Sequence, residues 1–457
     1  MIDFIIDNLG VLMFVCLVGV LFTGLPVPLV LGGTSVLFGI IGWAFDVFSF
    51  VEFFNIAARI WGQACENPIF TAIPMFIFMG TALERSRIAE DLLTALQIIL
   101  RRLPGGLAIA ITVMGTILAA ATGIVAASVV LMTVLAYKHM MDAGYDKRLV
   151  GGTICASGTL GILIPPSIML VFMADMLSVS VGHLFVGALM PGLVLSGLYV
   201  TFILVVATIW PKAAPAIKEG TGPQDAVAWF KMLTRSFLPP LFLMFLVLGS
   251  IILGWATPTE AAGVGAGGAL LLMATSGRMS RKMIGQVTRQ SMLTIGMVFG
   301  IVLGATAFAY IFRSLGGDDV IVNFVASMEL GAWGVLFLLM GIIFVLGFFF
   351  EWLEITLIML PIMYPILGTL DFGTHVGGEE MYVWFAIIVA VNLQTSFLTP
   401  PFGFSLFCMR GVAPPGVRME DLYQGIIPFV ILQVIGLGII MAFPSVVLWL
   451  PRIVFAE

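Results

Sequence analysis

Glu351 and Glu354, in Glu351-Trp-Leu-Glu-Ile-Thr356, stand inside a run that is otherwise apolar. A carboxylate at membrane depth is costly unless it is paired, protonated or hydrated. These two can bind a coupling cation, carry a proton or hydrogen-bond the turn of a hairpin, and their sequence setting leaves all three open. Two other stretches offer neutral oxygens. In Ser157-Gly-Thr-Leu-Gly-Ile-Leu-Ile-Pro-Pro-Ser167 and Asn392-Leu-Gln-Thr-Ser-Phe-Leu-Thr-Pro-Pro-Phe-Gly403, a Pro-Pro pair interrupts an apolar run. Proline has no N–H and clashes with the preceding turn, so backbone carbonyls are freed for neighbouring helices, a cation or a substrate. In Ala119-Ala-Ala-Thr-Gly-Ile-Val-Ala-Ala-Ser128, small residues permit close backbone approach, and Thr122 and Ser128 are either packing residues or ligands. Candidate substrate contacts in the first half are Thr122, Ser157, Pro165, Pro166 and Ser167; in the second they are Glu354, Thr399, Pro400, Pro401 and Gly403. Asp175 and Arg313 raise the same question at membrane boundaries, where a long side chain reaches water cheaply.

Such residues need a scaffold that holds polar groups in lipid. Of 457 residues, 61% are hydrophobic and 10% charged, far from the balance of a soluble domain. Apolar stretches of spanning length recur from Asp3 to Trp449, roughly ten to fourteen of them at about 20 residues per span. The expected fold is an all-α polytopic membrane protein. Phe4 to Phe22 lacks a basic leader and reads as a mature helix. A net charge of -5 argues against nucleic-acid binding. Cys16, Cys65, Cys155 and Cys408 are far apart and read as buried packing thiols. No Lys follows a Gly, so there is no Walker A loop, and His139, His183 and His375 fall in separate predicted loops without metal-ligand spacing. No enzymatic constellation competes with transport.

Lys and Arg gather near Arg85 to Arg102, Lys138 to Arg148, Lys212 to Arg235, Arg278 to Arg289, and Arg410 with Arg418; only Arg59, Arg313 and Arg452 lie elsewhere. One threading puts all these clusters on the cytoplasmic side, provided that Gly105 to Ala136 enters and leaves on that side as a hairpin, fully spanning or re-entrant. Both termini and the acidic Asp371 to Glu380 loop then fall outside.

The chain also repeats. Gly24-Leu-Pro-Val-Pro28 matches Gly254-Trp-Ala-Thr-Pro258 at an offset of 230, the Pro-Pro stretches match at 235, and Pro191-Gly192 matches Pro428-Phe429 at 237. Ser128 and Thr356 are 228 apart. The expected domains are 1–235, with hairpin 105–136 and broken helix 149–178, and 236–457, with hairpin 331–370 and broken helix 381–410. The charge threading gives them opposite orientation, and paired interrupted helices in inverted repeats point to a midplane transport site.

The run Asp146 to Ser167, Thr122-Gly-Ile-Val-Ala-Ala-Ser128, Gly254-Trp-Ala-Thr-Pro-Thr-Glu-Ala-Ala-Gly263 and Thr399-Pro-Pro-Phe-Gly403 together resemble the large membrane subunit of tripartite ATP-independent periplasmic (TRAP) transporters, over nearly the whole chain. The resemblance implies an elevator-type transport domain moving against a scaffold in the bacterial inner membrane, a small membrane subunit, a periplasmic substrate-binding protein and a sodium gradient. It implies one cation site at Thr122, Gly123, Ser128, Ser157, Gly158 and Gly161, and another at Glu354, Thr356, Gln394, Thr395 and Thr399. Many members carry serines where this chain has Gly-Ile-Val-Ala-Ala, which favours backbone carbonyls as ligands there. The branch it resembles is associated with keto acids and other organic anions. The expected cargo is a small organic anion between the hairpins, held by the positive ends of broken helices without a dedicated Arg. The rivals are a stand-alone carrier or exchanger of the same architecture, and a channel or intramembrane enzyme, for which the intramembrane polar groups are too sparse.

Overall fold

The computed structural model describes residues 6, 8–86, 88–122, 125–216, 225–276, 279–401 and 403–455, with the side chains of 88–122 described as far as 118. The described elements are helices: α1 (Leu9–Leu21), α2 (Val27–Ala44), α3 (Glu52–Trp61), α4 (Pro68–Arg85), α5 (Ile88–Leu100), α6 (Gly106–Thr122), α7 (Val125–Met132), α8 (Lys138–Asp142), α9 (Lys147–Thr159), α10 (Ile168–Met176) and α11 (Val181–Ile209). After residue 225 come α12 (Ala226–Ile252), α13 (Pro258–Thr275), α14 (Arg281–Ser314), α15 (Gly317–Ser327), α16 (Ala332–Leu346), α17 (Trp352–Leu367), α18 (Gly378–Ser396), α19 (Phe404–Val412), α20 (Met419–Ala442) and α21 (Ser445–Val454). Six stretches among the described residues, Val125–Asp142 across α7 and α8 included, are long and apolar enough to cross a membrane.

The helix boundaries follow from local chemistry. Gly24 and Gly254 adopt left-handed φ angles of 77° and 68°, a conformation glycine enters without a Cβ penalty, and each precedes a helix with proline in its first turn. Thr257 and Glu260 form a capping box at the start of α13. Gly62–Glu66 forms a π turn between α3 and α4; Asn67 accepts the Ile69 N–H at 3.0 Å and Pro68 has no donor for the preceding turn, so the run from Glu52 to Arg85 is interrupted. The stretch of the second half that follows α13, α14, is one unbroken helix of 34 residues.

Packing interleaves the two halves. Helix α2 lies along α14 and α4 along α13; α9 crosses α20, and α11 packs on α18. Helix α10 rests on α17, while α19 rests on α7. The α9–α20 crossing is tight: a methyl group on Gly152 would come within 2.2 Å of the Gly425 carbonyl oxygen. The Pro165–Pro166 and Pro400–Pro401 peptides are cis. Large apolar side chains stay on the outside, with Trp255 79% and Phe245 68% exposed, a surface suited to lipid.

Several basic segments meet at one end of the molecule. Gly105 N–H donates to the Ala214 carbonyl at 3.0 Å and Asp146 N–H to that of Ala213 at 2.9 Å, drawing the Arg101, Lys147 and Lys212 neighbourhoods together. Two expectations need correction. Cys65 is exposed, because it rides on the π turn rather than inside a span. His139 and His183 lie on helices α8 and α11, where His183 stacks on Phe455 at 4.2 Å, and the part-buried ring of His375 is hydrogen-bonded to the Met441 carbonyl at 2.9 Å. His375 alone of the three lies in a loop, and His139, though on a helix, is exposed.

Candidate substrate and cation site

The first hairpin, α6 and α7, clasps α9. A methyl on Gly115 would approach the Ser157 carbonyl oxygen to 2.7 Å, and one on Gly158 would approach Val129 Cγ2 to 2.3 Å. Only glycine at these positions lets the arms close on the broken helix, and Ser157 and Gly158 are thereby brought against the hairpin. Ser157 Oγ, fully buried, donates to Thr112 Oγ1 at 3.2 Å, and Ser128 and Gly161 are buried in the same region. Gly123 lies outside the described residues, as does the side chain of Thr122.

The second hairpin, α16 and α17, repeats the arrangement. A methyl on Gly347 would sit 2.5 Å from Ser396 Cβ, and Asn392 Nδ2 donates to the Met340 carbonyl at 2.8 Å, fastening α18 to the hairpin. Glu351 and Glu354 cap α17: Glu354 Oε2 accepts the Glu351 N–H at 2.9 Å, and the Glu351 side chain accepts in return from the helix's first turn. Of the three roles open to these carboxylates, the hydrogen-bonded turn is the one seen. Thr395 Oγ1 donates to Asn392 O at 2.6 Å and Thr399 Oγ1 to Thr395 O at 2.9 Å, leaving oxygen lone pairs to face other partners. Thr356 Oγ1 and both amide atoms of Gln394 are fully buried and have no hydrogen-bond partner among the described residues. Buried polar groups normally have partners, so unpartnered oxygens here fit a cation that takes oxygen ligands.

Between the hairpins lies a cavity of about 430 Å³. It is walled by Val125, Ile168, Trp352 and Phe404, which are the first residues of α7, α10, α17 and α19. Four helix N-termini therefore converge on it, each presenting the positive end of a helix dipole. The opposite wall comes from α4 and α14 and carries Thr81, Glu84, Arg85, Gln290 and Thr294; Glu351 completes the polar lining. Of the candidate substrate residues, Ser167 and Gly403 directly precede the helix starts Ile168 and Phe404 that line the cavity, with Pro165, Pro166, Pro400 and Pro401 in the same connections. Ser167 Oγ donates to the Ile162 carbonyl, and Gly403 takes a left-handed φ of 42°. Glu354 faces a separate small apolar pocket with Phe14 and Phe350.

The wall supplied by α4 and α14 is absent from the candidate set. Its signal was present: Thr81 with Arg85, and Gln290 with Thr294, are polar pairs four residues apart, one helix face each, within apolar runs. Arg85 also supplies a cation where the sequence expectation had none.

A second cavity of about 630 Å³ lies toward the far end of α14. Arg59, Gln63, Asp175, Tyr310 and Arg313 line it, with Leu357, Pro361 and Tyr364 from α17. Asp175 accepts from Gln63 Nε2 and Asn67 Nδ2, both at 2.5 Å. Arg313 donates to the Pro361 carbonyl at 3.1 Å and pairs with Asp318 at 3.1 Å. Arg59 lies over the Tyr310 ring, 5.9 Å from its centroid.

Lipid-facing helices, paired hairpins and a cavity ringed by helix N-termini define a polytopic membrane transporter, not an enzyme. The chain belongs to the family described as the tripartite ATP-independent periplasmic transporter, DctM component, which it matches over residues 14–446. It is 31% identical over 393 residues to the C4-dicarboxylate TRAP transporter large permease protein DctM of Pseudomonas aeruginosa, covering 85% of this chain and 88% of that one. The sialic acid TRAP transporter large permease protein SiaM of Vibrio cholerae is 25% identical, over 95% of this chain and 96% of that one. Among solved structures, the Alcanivorax borkumensis YdaH transporter matches with a TM-score of 0.61 at 13% identity, covering 88% of each chain, a likeness of fold alone. The chain is accordingly a TRAP large permease, a multi-pass protein of the bacterial inner membrane.

Proposed function

We propose that this chain is the transport subunit of a sodium-coupled importer of a small organic carboxylate, handed over by a periplasmic binding protein and working beside a small membrane subunit. The observation that carries the substrate class is the convergence of four helix N-termini, with Arg85, on the cavity between the hairpins. An anion there gains stabilisation from the converging helix dipoles and from Arg85, and needs no further cation. Sodium coupling draws support from the buried unpartnered oxygens of Thr356 on α17 and Gln394 on α18, the latter next in sequence to Thr395. Residues 1–235 and 236–457 act as two inverted repeats in this reading. Support comes from the interleaved pairs α2 with α14 and α4 with α13, and from each broken helix resting on the other half's hairpin. The basic face, which includes Arg85 and Arg289, is cytoplasmic by the positive-inside tendency.

A related chain of Oleidesulfovibrio alaskensis, the isethionate TRAP transporter permease protein DctMQ, is 28% identical over 82% of this chain and only 57% of its own length, consistent with a second membrane part fused to it. The test is uptake of radiolabelled carboxylates by proteoliposomes holding this chain and its small partner, with the binding protein outside. Uptake should require an inward sodium gradient and the binding protein. Uptake that proceeds equally without the binding protein would instead make the chain a stand-alone carrier, and equal uptake under potassium would remove the sodium coupling.

A further inference from the structure

The two cavities are built from matching parts. The inner one, between the hairpins, carries Arg85 from α4 and Gln290 from α14; the outer one carries Arg313 from α14 and Gln63 from the π turn before α4. Gln63 and Gln290 are 227 residues apart, and Arg85 and Arg313 are 228 apart, the spacing that separates Ser128 from Thr356. Each cavity thus takes its arginine from one half of the chain and its glutamine from the other, as an inverted duplication requires. The charges are not matched. The outer lining holds two arginines, Arg59 and Arg313, with one carboxylate, Asp175; the inner holds Arg85 with two carboxylates, Glu84 and Glu351.

The outer cavity also displays a carboxylate already bound. Asp175, at the end of α10, is fastened by the amide N–H groups of Gln63 and Asn67, both at 2.5 Å, so this edge has donors at the spacing a carboxylate needs. We infer that the outer cavity is a capture site for the incoming carboxylate, in which Arg313, Arg59 and Gln63 bind the delivered anion and Asp175 occupies the amide donors until it arrives. Displacing Asp175 frees α10 from the π turn, so capture loosens the outer contact between α10 and α3–α4. Counting Asp318, which pairs with Arg313, the outer cavity's two arginines face two carboxylates, so displacing Asp175 from the site leaves positive charge for the delivered anion, while the excess of carboxylates in the inner cavity favours release. This rests on the proposed carriage of an organic carboxylate.

Cys65 supplies a native reporter, since it is exposed on the same π turn as Gln63. The rate of its labelling by a membrane-impermeant maleimide is measured in proteoliposomes holding the permease and its small partner, with isovalerate, succinate or chloride outside at equal sodium. Each variant is compared with itself with and without the carboxylate. A carboxylate should slow labelling of the wild type, and Arg313→Gln or Gln63→Ala should raise the half-protecting concentration roughly tenfold or more, the loss expected for one charge-assisted hydrogen bond. Arg85→Gln should leave protection unchanged, and Arg59→Gln, which breaks no ion pair seen among the described residues, guards against a folding defect in Arg313→Gln. No protection by either carboxylate, or protection indifferent to both Arg313→Gln and Gln63→Ala, overturns the capture site. Arg313-dependent protection in a protein that moves no carboxylate would keep the site and sink the transport reading instead.

Discussion

Thr356 offers the sharpest separation of a cation ligand from a packing residue. Its Oγ1 is fully buried and unpartnered, and a desolvated hydroxyl without a partner costs about 1–3 kcal/mol. Thr356→Val keeps the shape and removes the oxygen, so the sodium-free protein should become no less stable and by this reasoning more so. With sodium the sign reverses. At free sodium about 100 times its dissociation constant, binding stabilises the folded state by about 2.7 kcal/mol. Losing one oxygen ligand, taken as about 1.4–2.8 kcal/mol, weakens binding roughly ten- to a hundredfold. At the same sodium concentration the stabilisation then falls to about 1.4 kcal/mol or about 0.4 kcal/mol. Thermal unfolding in nanodiscs, followed by tryptophan fluorescence in sodium chloride and in potassium chloride of equal strength, reads both signs at once. If Thr356→Val retains the whole sodium-dependent shift, or is clearly less stable in potassium, the residue packs and does not ligate, and the second cation site loses its best-supported member.

Gln394→Leu, which removes an unpartnered buried amide on α18, should likewise reduce the sodium-dependent shift in the same melting experiment. Gly152→Ala should lower thermal stability in either salt, by about 1–3 kcal/mol or more, because its methyl would meet the Gly425 carbonyl at 2.2 Å where α9 crosses α20. Asp175→Ala removes the acceptor shared by Gln63 and Asn67, and hydrogen–deuterium exchange should quicken across the π turn and the end of α10 while α9 is unchanged. Competition for uptake should favour isovalerate over succinate, since the described inner lining sets a single arginine against Glu84 and Glu351, and a second substrate carboxylate would face like charge.

The parts of the fold legible in the sequence are those written in residue types with few uses. Pro165-Pro166 and Pro400-Pro401 cannot continue a helix, and the breaks between α9 and α10 and between α18 and α19 fall at them. Gly24 and Gly254 mark the turns before α2 and α13 because both need a left-handed φ. The α4 and α14 wall of the inner cavity was not legible in the same way. Thr81 and Arg85 sit at the end of α4, where polar residues usually meet water or lipid headgroups, Gln290 and Thr294 lie well inside the long α14, and only the fold brings the two helices to face the hairpins. The capping roles of Glu351 and Glu354 were undecided for another reason: a Glu-x-x-Glu spacing serves a cap, a proton relay or a cation equally well until the helix start is fixed at Trp352.

Helix α14 measures how little separates the two cavities. Gln290 to Val298 line the inner one and Val302 to Ser314 the outer, so only the residues between Val298 and Val302 intervene, about 6 Å of helix rise. The facing helix α17 gives the same figure: Trp352 and Leu353 line the inner cavity and Leu357 onward the outer, again about one helical turn. A barrier this thin on both walls means that a carboxylate beside Leu357 is already close in depth to the N-terminus of α17 that would bind it. What holds it out is the packing of α10 and α17 against α4 and α14, and at the outer end that packing is fastened by Asp175 on Gln63 and Asn67. In the proposed transport cycle, a shift of the hairpins along α14 by a turn or two would span the distance between the cavities, with those amide contacts broken first. That order assigns the outer polar contacts, rather than the apolar barrier, the task of setting when the site opens.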